Sequence, residues 1–200
     1  MGFSGKISSS FLRQSAVVQI VLVNAVVFVI VHIAALFGIG YVGEWLMLPQ
    51  SWTEVMSTPW TLLTYMFAHF DFLHILGNML CLYCFGIVAL DLMTPQRFVA
   101  TYIAGGLAGA AAYLFAAEFV PSPGLIGSSA AVMAVAAAAV LTKPDYHVRL
   151  WLFGLVKIKW IALFYVAFAL LTTRAEASAV CAHAAHLGGI LAGAGVALDY

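Results

Sequence analysis

Residues 17–40 contain no Asp, Glu, Lys or Arg, and comparable apolar stretches recur near 72–92, 98–119, 126–142, 158–173 and 180–198. A bilayer core about 30 Å thick is crossed by roughly 20 such residues in a helix. Six of these runs in 200 residues leave little chain for anything else. The runs lack the two-residue alternation of a membrane β-barrel. Composition agrees: 64% of residues are hydrophobic, 8% are charged and mean hydropathy is +1.06, against about 25% charged in a water-soluble domain. A soluble globule, a disordered chain, a coiled coil, a nucleic-acid module and a disulfide scaffold are all excluded. Cys81, Cys84 and Cys181 lie in apolar sequence and read as small hydrophobes.

The expected fold is therefore all-α, a polytopic membrane protein of six transmembrane helices, with residues 1–200 as one membrane domain and no separate soluble domain. The first run follows a polar start with Lys6 and Arg13 and is too long for a signal-peptide core. Basic residues favour the cytoplasmic side. With the N-terminus inside, Lys6, Arg13, Arg97, Lys143, Arg149, Lys157 and Lys159 all fall there, and only Arg174 falls outside. Glu44, Glu54, Asp71, Glu118 and Glu176 are then external, and Asp91, Asp145 and Asp199 internal. Both termini are cytoplasmic in this reading, and no organelle-targeting extension stands out, which points to a bacterial inner membrane. The outer connection, 41–71, carries Trp45, Trp52 and Trp60 and reads as a loop partly sunk in the outer leaflet. Trp151 and Trp160 read as anchors at the inner end of the fifth span.

Hydrogen-bonding groups inside a membrane are costly and mark function by default. The candidates are His32, His69, His74, Asn78, Ser128, Ser129, His183 and His186; His147 lies in a cytoplasmic loop. Even-numbered spans enter from the outer face, so His74, Asn78, Ser129 and His186, each within about two turns of such a start, share one depth. His74 and Asn78 are four residues apart, on one helix face. The fourth span is short, alanine-rich and narrow enough to sit centrally in a bundle. Gly189-x-x-x-Gly193 is a close-packing face on the helix that carries His186. If those two helices meet, Ser129 and His186 come within hydrogen-bonding reach, and a serine paired with a histidine base is an activated nucleophile. No Asp or Glu lies in the span cores, so the expected engine is a dyad. The free N–H groups of the fourth span's first turn, with Asn78 and His74, would stabilise a tetrahedral oxyanion. Plainer readings stand beside these: a helix N-cap for Ser128 or Ser129, interfacial anchoring for His32, His183 or His186, and interhelical glue for Asn78.

Three motifs, His69-x4-His74-x3-Asn78, Gly127-Ser128-Ser129-Ala130 and His186-Leu-Gly-Gly-x-x-Ala-Gly193, fall in this order on alternate helices. Together they resemble the rhomboid family of intramembrane serine proteases in its minimal six-helix form. The resemblance implies Ser129 as nucleophile, His186 as general base, and His74, Asn78 and the Ser129 N–H as the oxyanion hole. It makes His69 a structural brace of the outer loop and Trp60 part of that loop's anchor. Three positions depart from the family pattern: Ala130 replaces a glycine after the nucleophile, Thr61 stands where an arginine is often found, and Met133 stands where an aromatic often stacks on the histidine. The implied activity is cleavage of other membrane-spanning proteins near the outer face, through a polar cavity that admits water, with no metal, cofactor or nucleic acid. A catalytically inactive relative that binds membrane proteins is the alternative. A metal carrier using His69, His74, His183 and His186 is a weaker one, since zinc sites usually add Cys or carboxylate.

Overall fold

A computed structural model describes the chain except residues 1–2, 151–153, 173–177 and 200. The expectations for Trp151, Arg174 and Glu176 fall outside the described residues. The long helices are α1 (Phe3–Leu36), α5 (Phe72–Leu92), α6 (Pro95–Ala117) and α9 (Ser178–Ala197). Between α1 and α5 lie three short helices, α2 (Tyr41–Leu46), α3 (Trp52–Ser57) and α4 (Thr61–Thr64), and a 3-10 turn over Tyr65–Phe67. Two further apolar helices follow α6, namely α7 (Ser129–Thr142) and α8 (Ile158–Thr172).

Local chemistry sets several of these boundaries. The first apolar run ends at Leu36, short of residue 40, where Gly38 takes a positive φ of 77°. Asp71 caps α5 by accepting the His74 N–H at 2.9 Å, and Thr94 caps α6 by accepting the Arg97 N–H at 3.3 Å, with Pro95 in the first turn.

Among the described residues, four helices are long and apolar enough to cross a bilayer: Ala16–Leu36, Phe72–Leu92, Pro95–Ala117 and Ala179–Ala197. The other two are apolar but short. Among the described residues they run 14 and 15 residues, about 21 and 22 Å, so length and composition bear out four of the expected six spans.

The chain is mostly helical, as expected, with one short sheet among the described residues. Between α7 and α8, strands β1 (His147–Leu150) and β2 (Gly154–Lys157) form an antiparallel hairpin with Val148 opposite Val156 and Arg149 opposite Leu155. His147, Arg149, Leu155 and Lys157 share one face, while Val148 packs against the core from the other. Asp145 ties the hairpin to α8 through Lys157 at 3.0 Å and Lys159 at 2.8 Å.

Helix α7 is apolar on every face and runs through the centre, with every residue from Ala130 to Ala136 buried. Helices α5, α6 and α9 pack around it. Large side chains such as Leu22 and Val26 on α1 and Phe164 and Leu171 on α8 stay exposed on the outside. An apolar exterior over a small-residue core is what a lipid solvent requires.

Candidate active site

Helix α7 is held by glycines on two sides. A Cβ on Gly189 would collide with the Ala130 carbonyl oxygen, and one on Gly193 with that of Ala134. From α6, a Cβ on Gly109 would stand 2.5 Å from the Ala130 methyl, and one on Gly105 would collide with the Ala134 methyl. All three helices thus repeat at four residues, one turn. The α9 glycines were singled out in the sequence; Gly105 and Gly109 were not, although AGGLAGA carries the same spacing.

This packing brings the first residue of α7 level with His186. Ser129 Oγ lies 2.8 Å from His186 Nε2, the distance of a good hydrogen bond. The backbone N–H groups of Ser129 and Ala130 lie at the start of α7, ahead of the bond that Val132 N–H makes to the Ser128 carbonyl at 2.9 Å. They sit at the positive end of the helix.

The turn into α7 is fixed by Gly127, whose φ is 117° and whose N–H donates to the Tyr65 carbonyl at 2.9 Å. A Cβ there would stand 2.6 Å from His74 Cε1, so the missing side chain lets the imidazole approach the backbone just before Ser129. The exposed His74 meets His69 edge-on, with ring centroids 5.0 Å apart.

His69 is fully buried and gathers the segments behind Ser129. Its Nε2 receives the Ser128 N–H at 3.3 Å and faces Ser128 Oγ at 3.3 Å and Asn78 Nδ2 at 3.1 Å. Donors converging on one ring nitrogen make it the acceptor and leave the proton on Nδ1. Ser128 occupies the N-cap position but its side chain caps nothing; it faces His69 instead. Asn78 Oδ1 accepts the Tyr165 hydroxyl of α8 at 2.9 Å. Asn78 is therefore held on both sides of its amide, and no hydrogen bond among the described residues joins His74 or Asn78 side chains to Ser129. Tyr165 went unnoticed in the sequence, where a tyrosine within an apolar run could have signalled a buried hydroxyl in need of a partner.

Two departures from the family pattern find local partners. The Ala130 methyl lies against Gly109, and Thr61 Oγ1 donates to the Thr58 carbonyl at 2.7 Å. Met133 is buried one turn along α7 from Ser129. Trp60 Nε1 donates to the Trp45 carbonyl at 3.0 Å, with the two indoles 5.6 Å apart, so these two hold the 41–71 connection together. An open cavity of about 390 Å³ in that connection is lined by residues including Glu44, Trp45, Glu54 and Thr61 and by neither Ser129 nor His186, so it is not the water cavity expected over the dyad. His32 bonds its own helix, Nδ1 to the Phe28 carbonyl at 2.8 Å. His183, one turn before His186, has its Nε2 buried without a hydrogen-bond partner among the described residues.

A Rhomboid domain model matches residues 56–198. The chain is also 30% identical over 145 residues to RHOMBOID-like protein 12, mitochondrial, of Arabidopsis thaliana. That alignment covers 64% of this chain and 43% of the plant protein, so the chain spans less than half the length of that relative. The domain match runs from within α3 to beyond the end of α9 and includes every residue clustered around Ser129 and His69. On that evidence the chain belongs to the rhomboid family.

Proposed function

We propose that this protein is an intramembrane serine endopeptidase that cleaves membrane-spanning proteins near the outer face of the bilayer. The observation that carries the reading is the 2.8 Å contact between Ser129 Oγ and His186 Nε2. Ser129 Oγ attacks the scissile carbonyl while His186 Nε2 takes its proton; the tetrahedral intermediate collapses as His186 returns that proton to the leaving amine. Water then attacks the acyl-enzyme with His186 again as base, releasing the acid and restoring Ser129. The α7 N-terminal N–H groups and His74 are the proposed oxyanion donors, with Asn78 completing the set through its second Nδ2 hydrogen. A substrate helix must unwind locally before its backbone can reach Ser129, because a helical peptide bond is shielded.

In this reading residues 1–200 form one membrane domain, and α7 and α8 complete a set of six crossing helices. Seven of eight basic residues on one side support cytoplasmic termini. We assign the membrane as a bacterial inner membrane; since the plant relative is described as mitochondrial, an organelle membrane is the outcome that would replace it.

The test is covalent labelling of the detergent-purified protein by a fluorophosphonate, beside cleavage of a single-span reporter in vesicles. Both signals are expected in the native chain and in neither Ser129→Ala nor His186→Ala. A folded native chain that is neither labelled nor cleaves would support the inactive, binding relative instead.

A further inference from the structure

For His186 Nε2 to receive the Ser129 proton, the neutral ring must carry its own proton on Nδ1. That nitrogen is buried and has no hydrogen-bond partner among the described residues. In a Ser-His-Asp triad a carboxylate would take this place, and among the described residues no carboxylate is bonded to His186. One turn earlier on the same face of α9 lies His183, whose Nε2 is likewise buried and unpartnered. The ring centroids are 6.3 Å apart with planes at 47°. At that separation facing ring nitrogens stand about 4 Å apart at the closest, too far for a direct hydrogen bond and within the span of one bridging water.

We propose that His183 is a positioning residue for the dyad, holding His186 through a single water between His183 Nε2 and His186 Nδ1. The water accepts the His186 Nδ1–H and donates to the His183 Nε2 lone pair. No proton is transferred along this link. It selects the tautomer that leaves His186 Nε2 free to accept from Ser129, and it keeps the ring turned toward α7. Burial of His183 Nε2 within the protein fits this role and not that of an interfacial anchor. The inference rests on the reading of Ser129 and His186 as nucleophile and base.

The test compares the full-length native chain with His183→Leu, His183→Phe and His183→Gln by three readouts: the second-order rate of Ser129 labelling by a fluorophosphonate, kcat and KM on a single-span reporter, and the low-field His186 Nδ1–H proton signal. Removing one oriented hydrogen bond is expected to slow labelling and kcat about tenfold in His183→Leu and His183→Phe, with KM unchanged. The Nδ1–H signal should broaden or vanish in the same variants. In His183→Gln, whose amide oxygen restores an acceptor, labelling should recover most of the native rate. If the leucine variant does not fold, the phenylalanine variant, which keeps a ring, is the one read. Native labelling rates in both apolar variants, or an equal loss in all three, would overturn the positioning role and leave the protease reading intact. Absence of labelling in the native chain would overturn both.

Discussion

Gly189 of α9 rests directly on the peptide carbonyl of Ala130 in α7, with no space for a methyl group between them. Because Ala130 follows Ser129 and Gly189 lies three residues after His186, this contact sets the distance between Ser129 Oγ and His186 Nε2. Gly193 repeats it one turn along, over Ala134. The Ser129–His186 pair is therefore held in register by backbone packing.

Gly189→Ala should push α9 away from α7 and lengthen the 2.8 Å contact. Overpacking of this kind costs about 1–3 kcal/mol, and activity should fall more than stability, by at least about tenfold, since the displacement lies along the reacting direction. Gly195→Ala, where a new Cβ meets nothing within 4 Å, is the control. Thermal denaturation and reporter cleavage measured together check both halves.

Ala130 and Gly109 form an exchangeable pair across α6 and α7. Gly109→Ala alone should destabilise by about 1–3 kcal/mol through a methyl-to-methyl collision. Combining it with Ala130→Gly should recover much of the loss, and a double-mutant cycle on unfolding free energies reads the coupling.

Tyr165→Phe removes the hydroxyl that Asn78 Oδ1 accepts at 2.9 Å. The buried amide oxygen loses its partner, at about 1–3 kcal/mol of stability. If Asn78 supports the oxyanion, kcat should fall several-fold as its amide loses orientation, with KM little changed. Steady-state kinetics on the reporter decides this.

The hairpin should respond to acid. Lys159 and Lys157, by hydrogen bonds and charge, hold the exposed Asp145 carboxyl down to about 2 from an ordinary 3.8. A depressed folded value means that the ion cluster stabilises the hairpin above about pH 4, and that its contribution is lost as pH falls from there through about 2. Amide exchange in β1 and β2 should quicken over that window in the native chain and show no such step in Asp145→Asn.

The Ser129–His186 pair was more legible in the sequence than the scaffold around it. Ser129 and His186 could be paired because each is a costly polar group near the start of a helix entering from the same face, and because Gly189 and Gly193 announce a close approach. His69 and Asn78 were visible as residues but their bonding was not. That Nε2 of His69 faces Ser128 and Asn78, or that Tyr165 reaches Asn78, depends on rotamers and helix rotation that spacing does not encode. The stretch 147–157 was hidden for a different reason: a short apolar and basic segment between helices has no strong period, and only the pairing of Val148 with Val156 reveals a strand.

Helix α7 runs from Ser129 to Thr142, about 21 Å, so a bilayer core about 30 Å deep would overreach it and take in part of the coil at its ends. Main chain at that depth needs protein partners. The coil before Ser129 has them: Leu125 exchanges both main-chain hydrogen bonds with Leu48, and Gly127 N–H donates to the Tyr65 carbonyl. The 41–71 connection thus stands in for the solvent that this coil would otherwise lack.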